Sequence, residues 1–526
     1  YVPGTLTVSP KTITATLTAN DKVYDGTTAA TGSLTLVGLV GSDVLGKTFT
    51  ATFNSKDVTS ANLVTASSIQ LTDGTGLASD YVLGSGQTAA ARITPLSVAV
   101  TGVTAVGRIY DATVRASLTG TPVITPIAGA GDSPVVAGTA LAVFGDANAA
   151  ANKPVTVTGY SLSGTGASNY ALIQPSALTA TIAQATLTVI ANADAKLVTR
   201  TDGTNFNGVS YAGFIGSDTA AVVGGTLVVA RSNATTQAAG IYTGVLQASG
   251  LSAQNYAMNY VGGDFTIVPA GQLLIRAGNG AATYGSAPAF TISSVEYLTT
   301  GGQVLTGLTA VGGSGNSFQY SDGASGTVDF TLGAANAVAS AGGNLRVGNY
   351  TATATALTVG GGNFSGTATV VGALTVTPLA RTVTGITAQN KSYDRTNAAT
   401  FTGGVIASLA NDAVGVDGSG VTATFADKNV GNGKAVSLFG FTLTGADAAN
   451  YRLVQPADVQ ADITVPTLTI TGVTALHKVY DRTRTATLTG GVINPLLGDD
   501  ATLVVTGATG LFADADVADG KSVVVS

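Results

Sequence analysis

Four times the chain repeats the pattern basic–x–Tyr–Asp–x–Thr. The copies are Lys22-Val23-Tyr24-Asp25-Gly26-Thr27, Arg108-Ile109-Tyr110-Asp111-Ala112-Thr113, Lys391-Ser392-Tyr393-Asp394-Arg395-Thr396 and Lys478-Val479-Tyr480-Asp481-Arg482-Thr483. A phenol beside a carboxylate could bind a ligand. The basic residue two before Tyr points to the same face of a strand. The competing role is structural: a buried Tyr closes a core, and Asp accepts backbone N–H groups in the turn. Recurrence at one place per repeat favours the second role. Tyr24, Asp25, Tyr110, Asp111, Tyr393, Asp394, Tyr480 and Asp481 are therefore read as a structural motif, with each Tyr buried in an equivalent place.

Other reactive groups are scarce. Cys is absent, His477 is the only His and Glu296 the only Glu. Without Cys there is no disulfide, thiolate nucleophile or Cys-held metal. Equivalents of His477 in the other copies are Asp21, Gly107 and Asn390, the variety of an exposed strand start. No catalytic residue and no cofactor site is expected, and the chain is read as a non-enzyme. Asp514, Asp516 and Asp519 form the one weak metal candidate. Their spacing fails the EF-hand pattern, and no Glu follows at the ligand position. The matching loop at Asp427-Lys428-Asn429 places a Lys among the acids, so a solvated turn is expected. Gly360-Gly361-Gly362 has no helix after it to bind phosphate and reads as a hairpin turn.

The elements that position these residues are strands. Tyr24 to Tyr110 is 86 residues and Tyr393 to Tyr480 is 87, the length of a small domain. Repeats open on period-two alternation, as in Thr12-Ile13-Thr14-Ala15-Thr16-Leu17 and Leu468-Thr469-Ile470-Thr471. They close on strands ended by Pro95, Pro269, Pro378 and Pro466. The next strand starts almost at once, with no flexible linker, which favours a stiff file of modules. A second landmark is Tyr after Asn or Asp, at Tyr81, Tyr170, Tyr256 and Tyr451. A third is a Phe before a polar turn, at Phe53, Phe144, Phe425 and Phe512.

Charged residues are 10% of the 526, with net charge −6. That argues against a nucleic-acid partner, which needs clustered Lys and Arg, and the sequence has no such cluster. The longest charge-free stretch, 347–380, is broken by Asn, Gly and Thr, so no transmembrane segment is expected.

The four Tyr-Asp-x-Thr modules resemble the YDG repeat. Two modules that lack the pattern carry Tyr211-Ala212-Gly213 and Thr283-Tyr284-Gly285 and resemble the MBG repeat. Both are immunoglobulin-like families of long bacterial secreted or surface proteins, among them filamentous-haemagglutinin-like adhesins of the two-partner secretion type. The resemblance implies an all-β tandem array of immunoglobulin-like β-sandwich modules forming an extended rod. Expected boundaries are 1–10 (last strand of a preceding module), 11–95 and 96–185 (YDG-like), 186–269 and 270–378 (MBG-like), 379–466 (YDG-like) and 467–526 (truncated YDG-like). The first and last pieces suggest a window cut from a longer polypeptide. The implied function is a non-catalytic structural segment of an extracellular filament, stalk or matrix protein. Its partners would be copies of the same chain or adjoining modules. The alternative is an adhesin binding a glycan or host protein through loops.

Overall fold

The computed structural model describes residues 7–84, 86–302, 304–493, 503 and 508–526. It bears out an all-β tandem array: strands dominate, and only short 3-10 turns interrupt them among the described residues. The first repeat shows why these residues form these elements. Its strands are β1 (Lys11–Ala19), β2 (Lys22–Val23), β3 (Gly32–Val37), β4 (Gly46–Phe53), β5 (Leu63–Thr72), β6 (Tyr81–Leu83), β7 (Gln87–Ala90) and β8 (Ile93–Thr94). Alternation in β1 sends Ile13, Ala15 and Leu17 inward and its Thr residues outward.

One sheet has the order β3-β1-β6, with β1 antiparallel to β3 and parallel to β6. A second sheet has the order β4-β5-β7. Leu17, Leu34, Phe53, Val64 and Ala66 meet between them in one core. The chain then crosses out of the first sheet between Ala19 and Lys22. Asp21 accepts the Arg92 N–H at 2.7 Å, and β2 joins β8 in parallel. That crossing puts Tyr24 at the end of the sandwich, where its N–H donates to the Thr94 carbonyl.

The same crossing recurs. Arg108–Ile109 pairs with Ile182-Ala183, Asp194–Leu197 with Phe265-Thr266-Ile267-Val268, Gly280–Thr283 with Leu374-Thr375-Val376-Thr377, and Lys391–Ser392 with Ile463-Thr464, all in parallel. Two modules without the Tyr-Asp pattern thus share the strand that carries it. By this register Tyr284 stands where Tyr24 stands, and Val198 takes that place in the third repeat: their N–H groups bond Thr377 and Val268 as Tyr24 bonds Thr94.

The array is not only a single file. The Arg115 guanidinium lies 5.2 Å over the Phe439 ring, and Arg452 donates to the Gly216 carbonyl at 3.2 Å. The second and third repeats therefore touch the fifth, and the extended rod is shortened by a fold-back between the third and fourth. The physical reason lies in that joint. Val198 brings no phenol to it. Ala195, Leu197, Val268, Leu274, Leu298 and Val371 instead form an apolar seam, closed by Arg276 on Asp194 at 2.8 Å. Asn349 and Asn279 of the fourth repeat donate to carbonyls of Tyr211 and Asn207 in the third.

Of the ten residues expected to form the last strand of a preceding module, 1–6 lie outside the described residues, and 7–10 carry no strand. In the last repeat, 494–502 and 504–507 lie outside the described residues. No helix among the described residues is long and apolar enough to cross a membrane.

Candidate functional site: a tyrosine–aspartate joint between modules

The motif splits into two devices. In the first, the carboxylate serves its own turn. Asp25 accepts the Thr27 N–H and hydroxyl, both at 2.9 Å, and the Lys22 ammonium at 2.7 Å. Lys22 also reaches the Thr27 carbonyl at 2.9 Å and lies 5.8 Å over the Phe53 ring. The residue between Asp and Thr is left-handed in every copy: φ is 78° at Gly26, 63° at Ala112, 67° at Arg395 and 66° at Arg482. Three of the four have a Cβ that resists this conformation. The Asx-type turn and the ammonium hold it. Lys391 and Lys478 repeat the clamp on Asp394 and Asp481 at 2.8 Å, over Phe425 and Phe512, and Arg108 does so on Asp111 over Phe144. The basic residue and the Phe landmark are thus halves of one contact. The motif Asp does not meet its neighbouring phenol.

In the second device, the Tyr leaves its own module. Tyr24 is 2% exposed. Its hydroxyl donates at 2.5 Å to Asp132 of the next repeat. Tyr170 donates to the same carboxylate oxygen at 2.9 Å. The two rings meet edge to face, with centroids 5.5 Å apart. Tyr110, Tyr256 and Asp218 repeat this at 2.9 and 2.7 Å, and Tyr284, Tyr451 and Asp412 at 2.7 and 2.5 Å. The ring pairs repeat too, at 5.5 and 5.4 Å. In each joint the second Tyr hydroxyl accepts a backbone N–H, from Ile127, Ile215 or Leu409.

The residue before the second Tyr completes the joint. Asn169 accepts the Val58 N–H of the preceding repeat at 2.9 Å and donates to Asp57 at 2.9 Å. Asn255 does the same with Ala149 and Asn148 at 2.9 and 3.1 Å. Asn450 accepts the Val347 N–H at 3.1 Å. Apolar packing continues across: Tyr170, Tyr256 and Tyr451 each belong to the core of the repeat before their own.

The electrostatics are those of a buried carboxylate kept charged. Burial alone would push the Asp132 carboxyl up. The hydrogen bonds from Tyr24 and Tyr170 and the Lys56 ammonium outweigh it and hold the group below its usual 3.8. Asp412 is held down in the same way, burial being outweighed by Tyr451, Tyr284 and Ser340. Burial, then the hydrogen bond to Asp132, raises Tyr24 from 10.0 to about 12; burial and Asp412 do the same to Tyr451. A carboxyl lowered by folding stabilises above pH 3.8, and the effect is lost as pH falls through its lower folded value. A phenol raised by folding stabilises below pH 10, and the effect is lost as pH rises through about 12. The stability difference between the wild type and Asp132→Asn is therefore expected to be constant near neutrality. It should shrink below about pH 4 and again above about pH 10. Calorimetric melts of both proteins across that range check this, and a gap that stays constant in acid would contradict it.

One reading of the sequence needs correction. The motif tyrosines are not equivalent: Tyr24 and Tyr110 are buried, Tyr393 is half-buried, and Tyr480 is 55% exposed. The motif sets the turn, but the neighbouring module supplies the burial, and no described residue packs on Tyr480 in that way. Asp514, Asp516 and Asp519 are not brought together as a metal site. The Lys521 ammonium bonds Asp514 and, at 2.6 Å, the Asp516 carbonyl, filling the turn with a cation of its own. No cluster of three metal-ligating side chains occurs among the described residues. His477 is exposed.

The acceptor carboxylates escaped sequence reasoning. Their one signal is Gly-Ser-Asp, at Gly41-Ser42-Asp43 and Gly216-Ser217-Asp218; the other two copies diverge. Lys196, Asp202 and Arg231 were missed as well. Lys196 holds the place of Lys22, but its ammonium turns to Asp202 at 2.7 Å, which also takes Arg231.

Comparison with known families matches a YDG domain at residues 9–90, 94–180, 377–460 and 464–526, more than half of the chain. An MBG domain (YGX type) is matched at 187–266. No curated protein matches the chain.

Proposed function

The chain belongs to the YDG domain family, and from that premise we propose that it is a non-catalytic structural segment of a long bacterial extracellular filament, stalk or matrix protein. One observation carries the proposal. Three joints in one chain repeat the same Tyr–Asp–Tyr contact between successive modules. The most elaborate recurring chemistry of the molecule is thus spent on holding modules to each other. Such a joint suits load or reach: its hydrogen bonds are charge-assisted, and its phenols are shielded from water. The fold-back between the third and fourth repeats gives the segment width as well as length. Stability comes from packing, since no Cys is available to cross-link it.

The test is to label the segment with antibody on intact cells and in the medium, and to view it by negative stain. Labelled fibres or surface stalks are the expected result. Label confined to the cell interior would overturn the proposal.

A further inference from the structure

The joints have two complementary ends, and each end also occurs without its mate among the described residues. At the first repeat, the Tyr81 hydroxyl donates to Asp43 at 2.6 Å and accepts the Val40 N–H at 3.1 Å. This is the arrangement of Tyr170, Tyr256 and Tyr451. No second tyrosine among the described residues reaches Asp43. Val40 is 53% exposed, whereas its equivalents Ile127, Ile215 and Leu409 are packed against the preceding repeat. Three filled copies of this site in one chain show what fits it: the tyrosine end of a module of the same kind. We propose that the end carrying Asp43 and Tyr81 docks the tyrosine end of a further YDG-type module, and that Asp80 makes it select an end with an amide or basic side chain in the flanking turn.

The selection follows from the residue before the second Tyr. Asn169 and Asn255 face Asp57 and Asn148, four residues after Phe53 and Phe144. An amide can donate to either. The first repeat has Asp80 there instead, and a carboxylate only accepts. It suits a partner turn such as Lys428-Asn429, four residues after Phe425. It does not suit the last repeat, where Asp516 holds that place. A second copy of this chain, offering Tyr480, would set Asp516 against Asp80. Two other features favour that pairing: Tyr480 is exposed, and a side chain at Gly41 would meet open space, leaving room for Arg482. Like charges across an interface suppress a wrong partner. The carboxylate pair thus keeps copies of this segment from joining head to tail.

The inference rests on the structural reading above but is tested apart from it, by sedimentation velocity of the purified 526-residue chain at neutral pH. Wild type is expected to associate weakly. Asp80→Asn and Asp516→Asn are each expected to tighten head-to-tail association roughly tenfold or more. Adding Tyr480→Ala to either should return it to the wild-type level. Both acids are exposed, and unchanged melting would verify that the variants fold. Overturning results are that neither substitution tightens association, or that the tightening survives Tyr480→Ala. Absence of extracellular fibres would defeat the functional proposal and leave this measurement standing.

Discussion

Replacing Asp132 with alanine is expected to destabilise the first two modules together by about 3–5 kcal/mol, lowering their melting by about 10 °C. The carboxylate side chain is 2% exposed. It accepts from Tyr24 at 2.5 Å and from Tyr170 at 2.9 Å, and Lys56 stands 3.4 Å away. Removing it leaves two buried hydroxyls with one acceptor fewer each, at about 1–3 kcal/mol apiece. It also leaves an ammonium without part of its countercharge. Water cannot easily repair this, because the ring pair and the flanking Asn169 close the joint. Asp43→Ala is the control, since it removes the same carboxylate from a joint with one phenol, and about 1–2 kcal/mol is expected there. Scanning calorimetry of both variants decides. Equal losses would mean that the carboxylate serves its own module and not the joint.

Much of the architecture was legible because it repeats locally. Alternation in residues 12–17 announced a strand with one buried face, and Pro95, Pro269, Pro378 and Pro466 marked the last strand of a module. The clamp was half legible: Asp before a left-handed residue and Thr is a turn signature. That Lys22 reaches both Asp25 and the Phe53 ring depends on strand pairing 31 residues away, which no local pattern specifies. The joint was least legible. Asp132 and Tyr24 are 108 residues apart, and the acceptor turn keeps its geometry while changing its letters from Gly-Ser-Asp to Ala-Asn-Asp. Its requirement is a short turn that presents one carboxylate to two phenols, and several sequences satisfy that. The fold-back was hidden for a different reason. It depends on the absence of a tyrosine, at Val198, and on apolar residues that read as ordinary core.

Tyrosine truncation separates what the motif does from what the neighbour does. Tyr24→Ala is expected to cost about 4 kcal/mol, the range for emptying a buried aromatic site. The ring packs edge to face on Tyr170, and the hydroxyl holds Asp132. Tyr24→Phe keeps the ring contact and leaves Asp132 with Tyr170 and Lys56, so about 1–2 kcal/mol is expected. Tyr480→Ala removes the same letter from the same motif, yet the loss should stay within about 0.5 kcal/mol, because that side chain is 55% exposed. Its turn should survive, since Asp481 bonds Lys478 and Thr483 without it. Chemical denaturation of the three variants gives the ranking directly. If burial came from the motif itself, Tyr24→Ala and Tyr480→Ala would cost the same. A gap of several kcal/mol between them would assign the stabilisation to the joint: a tyrosine becomes structural here only when the next module brings it an aspartate and a second ring.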